Sequence, residues 1–309
     1  MMRFKQTALV AALALATASP LATAAQTGGV DAFVSGALGT GSTDYKDTFV
    51  GTYWNESDKQ DLDNTFGKYR ATLNYTDKSG FGGQMDYVYA TDKHDWFDSA
   101  TTDIVGHAFY RGNDWLLGAL AQRRTFNIND GSDYPLPMTL TVMGVEAQKQ
   151  FGANTSVYAQ LGRQNLNDDS WKLGGWIASV EGRYFLNDNL LVNGKLTSGA
   201  VKDSSSGCCS YSGEDKIKTT TLELGGEYRL PNTVFSVFGT YAWIKDGYQY
   251  SYSNNGGYFY EGKTEYTTHQ FMVGVKLNLG KDSLRQRDRE GASLNPMSVM
   301  GGNTAYEIW

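Results

Sequence analysis

The chain has 309 residues, a net charge of −6, and 20 Tyr, 14 Phe, 7 Trp and 36 Gly against only 5 Pro. The negative balance argues against a nucleic-acid partner, because phosphate backbones are held by surplus Lys and Arg. The only two cysteines, Cys208 and Cys209, are neighbours, so no disulfide framework exists; a vicinal disulfide and two loop thiols both remain open.

Residues 1–24 read as a secretory signal. Arg3 and Lys5 supply the positive region, Thr7 to Thr17 is an apolar run, and Ala22-Thr23-Ala24 offers a small-residue cleavage site. The run is short for a membrane anchor. Beyond it no stretch of eighteen apolar residues occurs, so no transmembrane helix is expected. Low hydropathy does not speak against a membrane barrel, whose strands alternate and each carry a weak signal.

From residue 25 onward the pattern is one of strands. The first spans Val30 to Gly39. After a long polar segment come Thr65 to Tyr75 and Phe81 to Ala90, joined at Asp77-Lys78-Ser79-Gly80. A second polar segment holds His94. Asp103 to Arg111 and Trp115 to Arg124 are the next pair, joined at Gly112-Asn113-Asp114. Thr139 to Phe151 and Ser156 to Gly162 flank Gly152-Ala153-Asn154. Gly175 to Phe185 and Leu190 to Ser198 flank Asn187-Asp188-Asn189. Thr220 to Leu230 and Val234 to Trp243 meet around Pro231-Asn232. The closing strand, Glu265 to Leu279, brings the total to twelve. Gly, Asn, Asp and Pro gather at the short joints, where hairpin turns need them. Short and long joints alternate along the chain, as in a barrel with short periplasmic turns and long extracellular loops.

The closing strand carries the clearest two-faced pattern. Phe271, Val273, Val275, Leu277 and Leu279 fall on one face, and Gln270, Met272, Gly274, Lys276 and Asn278 on the other. The first set is expected to face lipid. Gly144 to Gln148, Ser179 to Arg183 and Gly225 to Arg229 repeat a Glu followed two residues later by Gln or Arg. A cation facing lipid at mid-bilayer costs about 2–4 kcal/mol, so these charges are expected to face inward. The expected lumen set is Lys68, Arg70, Asp86, His107, Arg111, Glu146, Gln148, Glu181, Arg183, Lys195, Glu223, Glu227, Arg229 and Lys276. It reads either as a charged, water-filled constriction or as a salt-bridge network without throughput.

The segment Gly274 to Leu279 resembles the closing-strand signal of bacterial outer-membrane proteins, with one departure: Met272 stands where a polar residue is usual. Over nearly the whole mature chain the hairpin pattern resembles Gram-negative outer-membrane, porin-like β-barrels. The resemblance implies an all-β fold, a 12-stranded antiparallel up-and-down transmembrane barrel over 25–280. It implies an outer-membrane location after signal-directed export. Its implied partners are outer-membrane lipids and lipopolysaccharide, the barrel-assembly machinery and small hydrophilic solutes. No cofactor or metal is expected; the acidic residues Asp58, Asp61, Asp63, Asp168 and Asp169 lack calcium-loop spacing.

Three features remain beside that frame. Tyr248, Tyr250, Tyr252, Tyr258 and Tyr260 surround an Asn/Gly turn and read as a hairpin above the outer surface, its rings (with Tyr266) serving an interfacial girdle or a sugar. Residues 281–309 are expected to form a periplasmic tail with a short helix over Asp282 to Glu290; little apolar surface favours a mobile tail over a plug. The function expected is passive diffusion of small hydrophilic solutes or ions, not catalysis, with a structural or adhesin-type barrel as the alternative. A lipid hydrolase would need a Ser beside His107 or His269; for His269 only Ser251 or Ser253 are near in sequence, and only if the hairpin folds down.

Overall fold

The computed structural model describes residues 29–93, 98–129, 136–167, 172–203, 211–254 and 259–299. The expected signal, His94, Cys208, Cys209, Asp168, Asp169, Tyr258 and residues 300–309 lie outside them. Twelve antiparallel strands form a closed barrel in which each strand pairs with its neighbours in sequence. They are β1 (Val30–Gly51), β2 (Asn55–Thr76), β3 (Phe81–Lys93), β4 (Asp98–Arg111), β5 (Trp115–Asn129) and β6 (Leu136–Phe151). The second half comprises β7 (Thr155–Asn167), β8 (Lys172–Asn187), β9 (Leu190–Asp203), β10 (Tyr211–Arg229), β11 (Phe235–Asn254) and β12 (Phe259–Leu279). β1 and β12 close the ring in continuous register from Ala32 opposite Leu279 to Gly51 opposite Tyr260. Closure leaves no strand edge to aggregate. Among the described residues one helix, α1 (Leu284–Glu290), lies beyond the closing strand.

The end of the barrel bearing Val30 and Leu279 is called the base, the other the rim. The base turns form where their residues require. Asp77 accepts hydrogen bonds from Ser79 Oγ at 2.7 Å and from the amides of Ser79 at 2.8 Å and Phe81 at 3.0 Å. That turn is the kind an Asp side chain builds, and the Ser79 hydroxyl foremost holds the Asp77 carboxyl below its ordinary pKa. Asn232 takes φ 57° in the β10–β11 turn, a left-handed geometry that Asn tolerates.

At the rim the structure differs from the expected long loops. The polar segments are mostly strand: β1 and β2 continue to Gly51 and Asn55, leaving three residues between them. A strand needs roughly 9–11 residues to cross a bilayer, so the 22 residues of β1 and of β2 carry the wall well beyond it. β10, β11 and β12 are similarly long, at 19, 20 and 21 residues, while β3 to β9 have 13 to 16. One side of the rim therefore stands taller. It carries a tyrosine group on facing strands, with Tyr250 and Tyr252 of β11 at 6.3 and 5.1 Å from Tyr260 of β12.

Alternation holds along each strand. In β8, Leu173, Ile177, Glu181, Arg183 and Phe185 are buried, while Trp176, Val180 and Tyr184 between them are exposed on the outer face. In β12, Phe271, Val273 and Val275 are exposed there, and Leu277 and Leu279 are half-buried on the same side. Met272, the departure from the closing-strand pattern, points inward and packs against Ala37 and Phe66.

Candidate functional site

All fourteen expected lumen residues share the inner face, and they fall into three arrangements. The first is a buried relay on β3, β4, β6 and β7. His107 Nδ1 lies 2.9 Å from Glu146 Oε2, and its Nε2 lies 3.3 Å from Asp86 Oδ2. Tyr158 donates to Glu146 at 2.5 Å, and Asp86 also accepts from Arg70 at 2.8 Å and Thr72 at 2.5 Å. Both imidazole nitrogens thus face carboxylates, leaving none to activate a nucleophile. His269, on the outer face, contacts Tyr241 at 2.8 Å. In the register it sits opposite Trp243, eight positions along β11 from Ser251, a span of roughly 26 Å at strand rise.

The second arrangement corrects the expectation of a mobile tail. Residues 281–299 turn back into the barrel and run up its inside. Gly280 makes the reversal at φ 130°, where an added Cβ would lie 2.6 Å from the Asp31 carboxylate. Ser283 caps α1 by accepting from the Gln286 amide at 3.1 Å. The helix then sits across the base turns, with Arg285 on Asp188 and Asn154 and Arg289 on the Gly152 carbonyl.

Over residues 291–299 the chain is neither helix nor strand, so its buried amides and carbonyls need other partners. Inward side chains supply them. Gln84 donates to Leu294 O at 2.7 Å and accepts from Leu294 N at 3.2 Å. Gln122 does the same for Met297, at 3.2 and 3.0 Å. Asn295 bridges Arg70 and Glu181 at 2.7 and 2.9 Å, Lys195 donates to Pro296 O at 2.8 Å, and Arg124 donates to Val299 O at 3.1 Å. Arg183 pairs with both Glu181 at 2.8 Å and Asp288 at 2.6 Å. Arg111 donates to the carbonyls of Asp288, Arg289 and Gly291, Arg229 to that of Lys281, and Gln148 to Asp288. The low apolar content of the tail is a poor guide, because polar contacts hold it. Met297 and Val299 nevertheless reach an apolar wall that alternation alone does not reveal: Leu120, Phe126, Met138, Leu140, Val142, Leu166, Leu173, Ile177, Val201 and Ile217 all point inward.

The third arrangement is the space the tail leaves open. A cavity of about 400 Å³ runs beside it, from Leu284 and Arg287 of α1 to Asp92, Ser99 and Asp246 nearer the rim. Eight of the fourteen expected residues border it: Lys68, Arg70, Glu181, Arg183, Lys195, Glu223, Glu227 and Lys276. Glu227 is shared by Lys276 at 2.5 Å and Arg287 at 2.9 Å. Arg70, Lys276 and Arg287 all lie over the Phe33 ring, 5.0, 4.7 and 5.3 Å from its centroid, a geometry that favours cations. Asp103 and Arg124, paired at 2.7 Å, join this wall although they are not in the expected set. Asp103 stands on the same face as His107 four residues on, and that spacing is its only signal in the sequence. Among the described residues no cluster of His, Cys, Asp and Glu could hold a metal ion.

No protein-family model and no curated protein matches the sequence. Among solved structures the chain is similar to an outer membrane channel from Pseudomonas putida F1, with a TM-score of 0.56 and 13% identity over 80% of this chain and 95% of that one. Weaker likenesses reach the P. putida toluene transporter TodX (TM-score 0.44, 10% identity, 84% and 92% covered) and the KdgM porin (TM-score 0.39, 9% identity, 76% and 98% covered). The likeness is one of fold, a closed antiparallel β-barrel.

Proposed function

We propose that the protein is an outer-membrane channel through which small hydrophilic solutes or ions diffuse passively, along a lumen narrowed by the chain's own C-terminal segment. The observation that carries this reading is the cavity beside the tail. It extends from base towards rim, is bordered by charged side chains, and keeps Lys68 exposed in the interior. Facing rows of acid and base in a low-dielectric wall order water and sort solutes by charge.

The same reading makes the base periplasmic, residues 1–24 the export signal, and the outward Phe271, Val273 and Val275 lipid-facing. It gives lipopolysaccharide a place at the outer wall. Lys202 and Lys216 stand directly opposite each other there, with Lys218 beside them. Like charges so placed repel, and lipid phosphates would relieve them. The barrel-assembly machinery remains a proposed partner through the closing strand.

One observation favours a second reading, a structural barrel without throughput: the tail fills much of the lumen with satisfied polar contacts. Planar-bilayer recording decides between them. Discrete conductance steps from the full chain support the channel, and Lys68→Glu is expected to move its ion preference toward cations. Silence from both the full chain and a variant lacking residues 283–309 leaves the structural reading standing.

A further inference from the structure

The cations of the cavity wall are not all paired. Arg70, Arg124 and Lys195 each have an acidic partner: Asp86 at 2.8 Å, Asp103 at 2.7 Å and Glu223 at 3.8 Å. Lys68 has no hydrogen bond or ion pair among the described residues, yet it sits within electrostatic range of Arg70, Arg124, Lys195 and Glu223. Those groups come from β2, β5, β9 and β10, so charges from several strands act on the Lys68 ammonium. Around the whole cavity seven acids face seven cations, and Lys68 is the one of those cations without an ion pair among the described residues. A lone cation surrounded by low-dielectric protein attracts an anion far more strongly than one on an open surface.

The floor next to Lys68 is apolar. In the register Lys68 lies across from Ala37 of β1. Ala37 belongs to a cluster with Phe66 and Met272, against which Phe238 packs. All four border the same cavity, and its volume of about 400 Å³ falls in the range of small-ligand pockets, roughly 300–1,000 Å³. A free cation at the edge of an apolar patch is the counterpart of a molecule with one negative end and an apolar body.

Resting on the channel reading, we infer that Lys68 and the Ala37–Phe66–Phe238–Met272 patch form a binding subsite for small organic carboxylates with an apolar body, which makes such anions the preferred solutes. The carboxylate meets the Lys68 ammonium, and the apolar part covers Phe66 and Phe238. The neighbouring ion pairs stay intact, which leaves Lys68 as the cation that meets the carboxylate.

Benzoate, titrated calorimetrically into the detergent-purified full chain, is the test. Saturable binding is expected, with benzamide, which lacks the charge, and acetate, which lacks the ring, each weaker by about tenfold or more, the equivalent of one charge contact or one ring burial. Lys68→Gln is expected to lose benzoate binding, Lys68→Arg to keep it, and Phe238→Ala to weaken benzoate but not acetate. Heat-modified electrophoretic mobility verifies that each variant is a folded barrel. Equal binding of benzoate and benzamide, or unchanged benzoate binding by folded Lys68→Gln, overturns the subsite. Calorimetry needs no current, so the two readings fail separately. Binding by a barrel that never conducts removes the channel and keeps the subsite; conductance without benzoate binding does the reverse.

Discussion

On the β5–β10 side of the lumen, Leu140 and Val142 are fully buried in a cluster that includes the tail residues Met297 and Val299. On the side built from β1, β2, β11 and β12, Lys68, Thr240 and Gln270 border open space. Both walls come from strands of the same barrel with the same alternation. The difference is the occupant: the tail on one side, cavity on the other. An apolar inner wall is stable only when something apolar covers it, and Met297 and Val299 do so. The open side carries the smaller patch of Ala37, Phe66, Phe238 and Met272; Lys68, Thr240 and Gln270 around it are polar and stable beside water, and there the chain leaves room.

Perturbing the two sides unequally tests that division. The largest effect is expected from deleting residues 283–309. The filled side then opens to water, and single-channel conductance rises several-fold in planar bilayers. An unchanged conductance would mean that the tail does not border the conducting path. Arg183→Ala strands the carboxylates of Glu181 and Asp288 in the interior; breaking such a buried pair costs ~3–5 kcal/mol, read as a fall in the midpoint of reversible urea unfolding in detergent. Leu140→Ala on the packed wall is expected to cost ~2–5 kcal/mol by the same measurement. Gln122→Ala removes both hydrogen bonds to Met297. It leaves a buried amide and carbonyl at ~1–3 kcal/mol, and a spin label at Ser298 should report greater mobility without loss of the barrel. The smallest effect belongs to Thr240→Ala on the open wall, which should stay within about 0.5 kcal/mol. A loss there equal to that of Leu140→Ala would erase the distinction between the walls.

Much of the barrel is legible in the sequence because lipid enforces contrast. β12 reads unambiguously since Phe271, Val273 and Val275 alternate with Gln270, Gly274 and Lys276. β5 reads poorly: Leu117, Ala119 and Ala121 face outward while Leu116 and Leu120 face inward, so both faces are apolar and no phase stands out. The extensions of β1 and β2 look like loops because both of their faces meet water beyond the bilayer, and a polar strand has no greasy side to reveal it. The charged inner face is recognisable from the Glu and Arg rows. Its division of labour is not. Whether Arg111 or Gln148 faces water or binds a carbonyl depends on a segment more than a hundred residues away, and no local spacing encodes that contact. Only the short helix after β12 announces itself, through Ser283 and Gln286 at capping distance.

Asp31 ties the start of this sheet to the chain beyond its last strand. Its two carboxylate oxygens take the amides of Lys281 and Ala292, 250 and 261 positions away, at the seam where β1 meets β12. Bringing such distant positions together is an entropic burden of the whole loop, and here one residue serves both the zipping of the last seam and the seating of the segment inside it. A chain whose seam is ajar lacks one anchor for its core, and a chain with an empty core loses one clasp on its seam, so the cylinder and its contents steady each other.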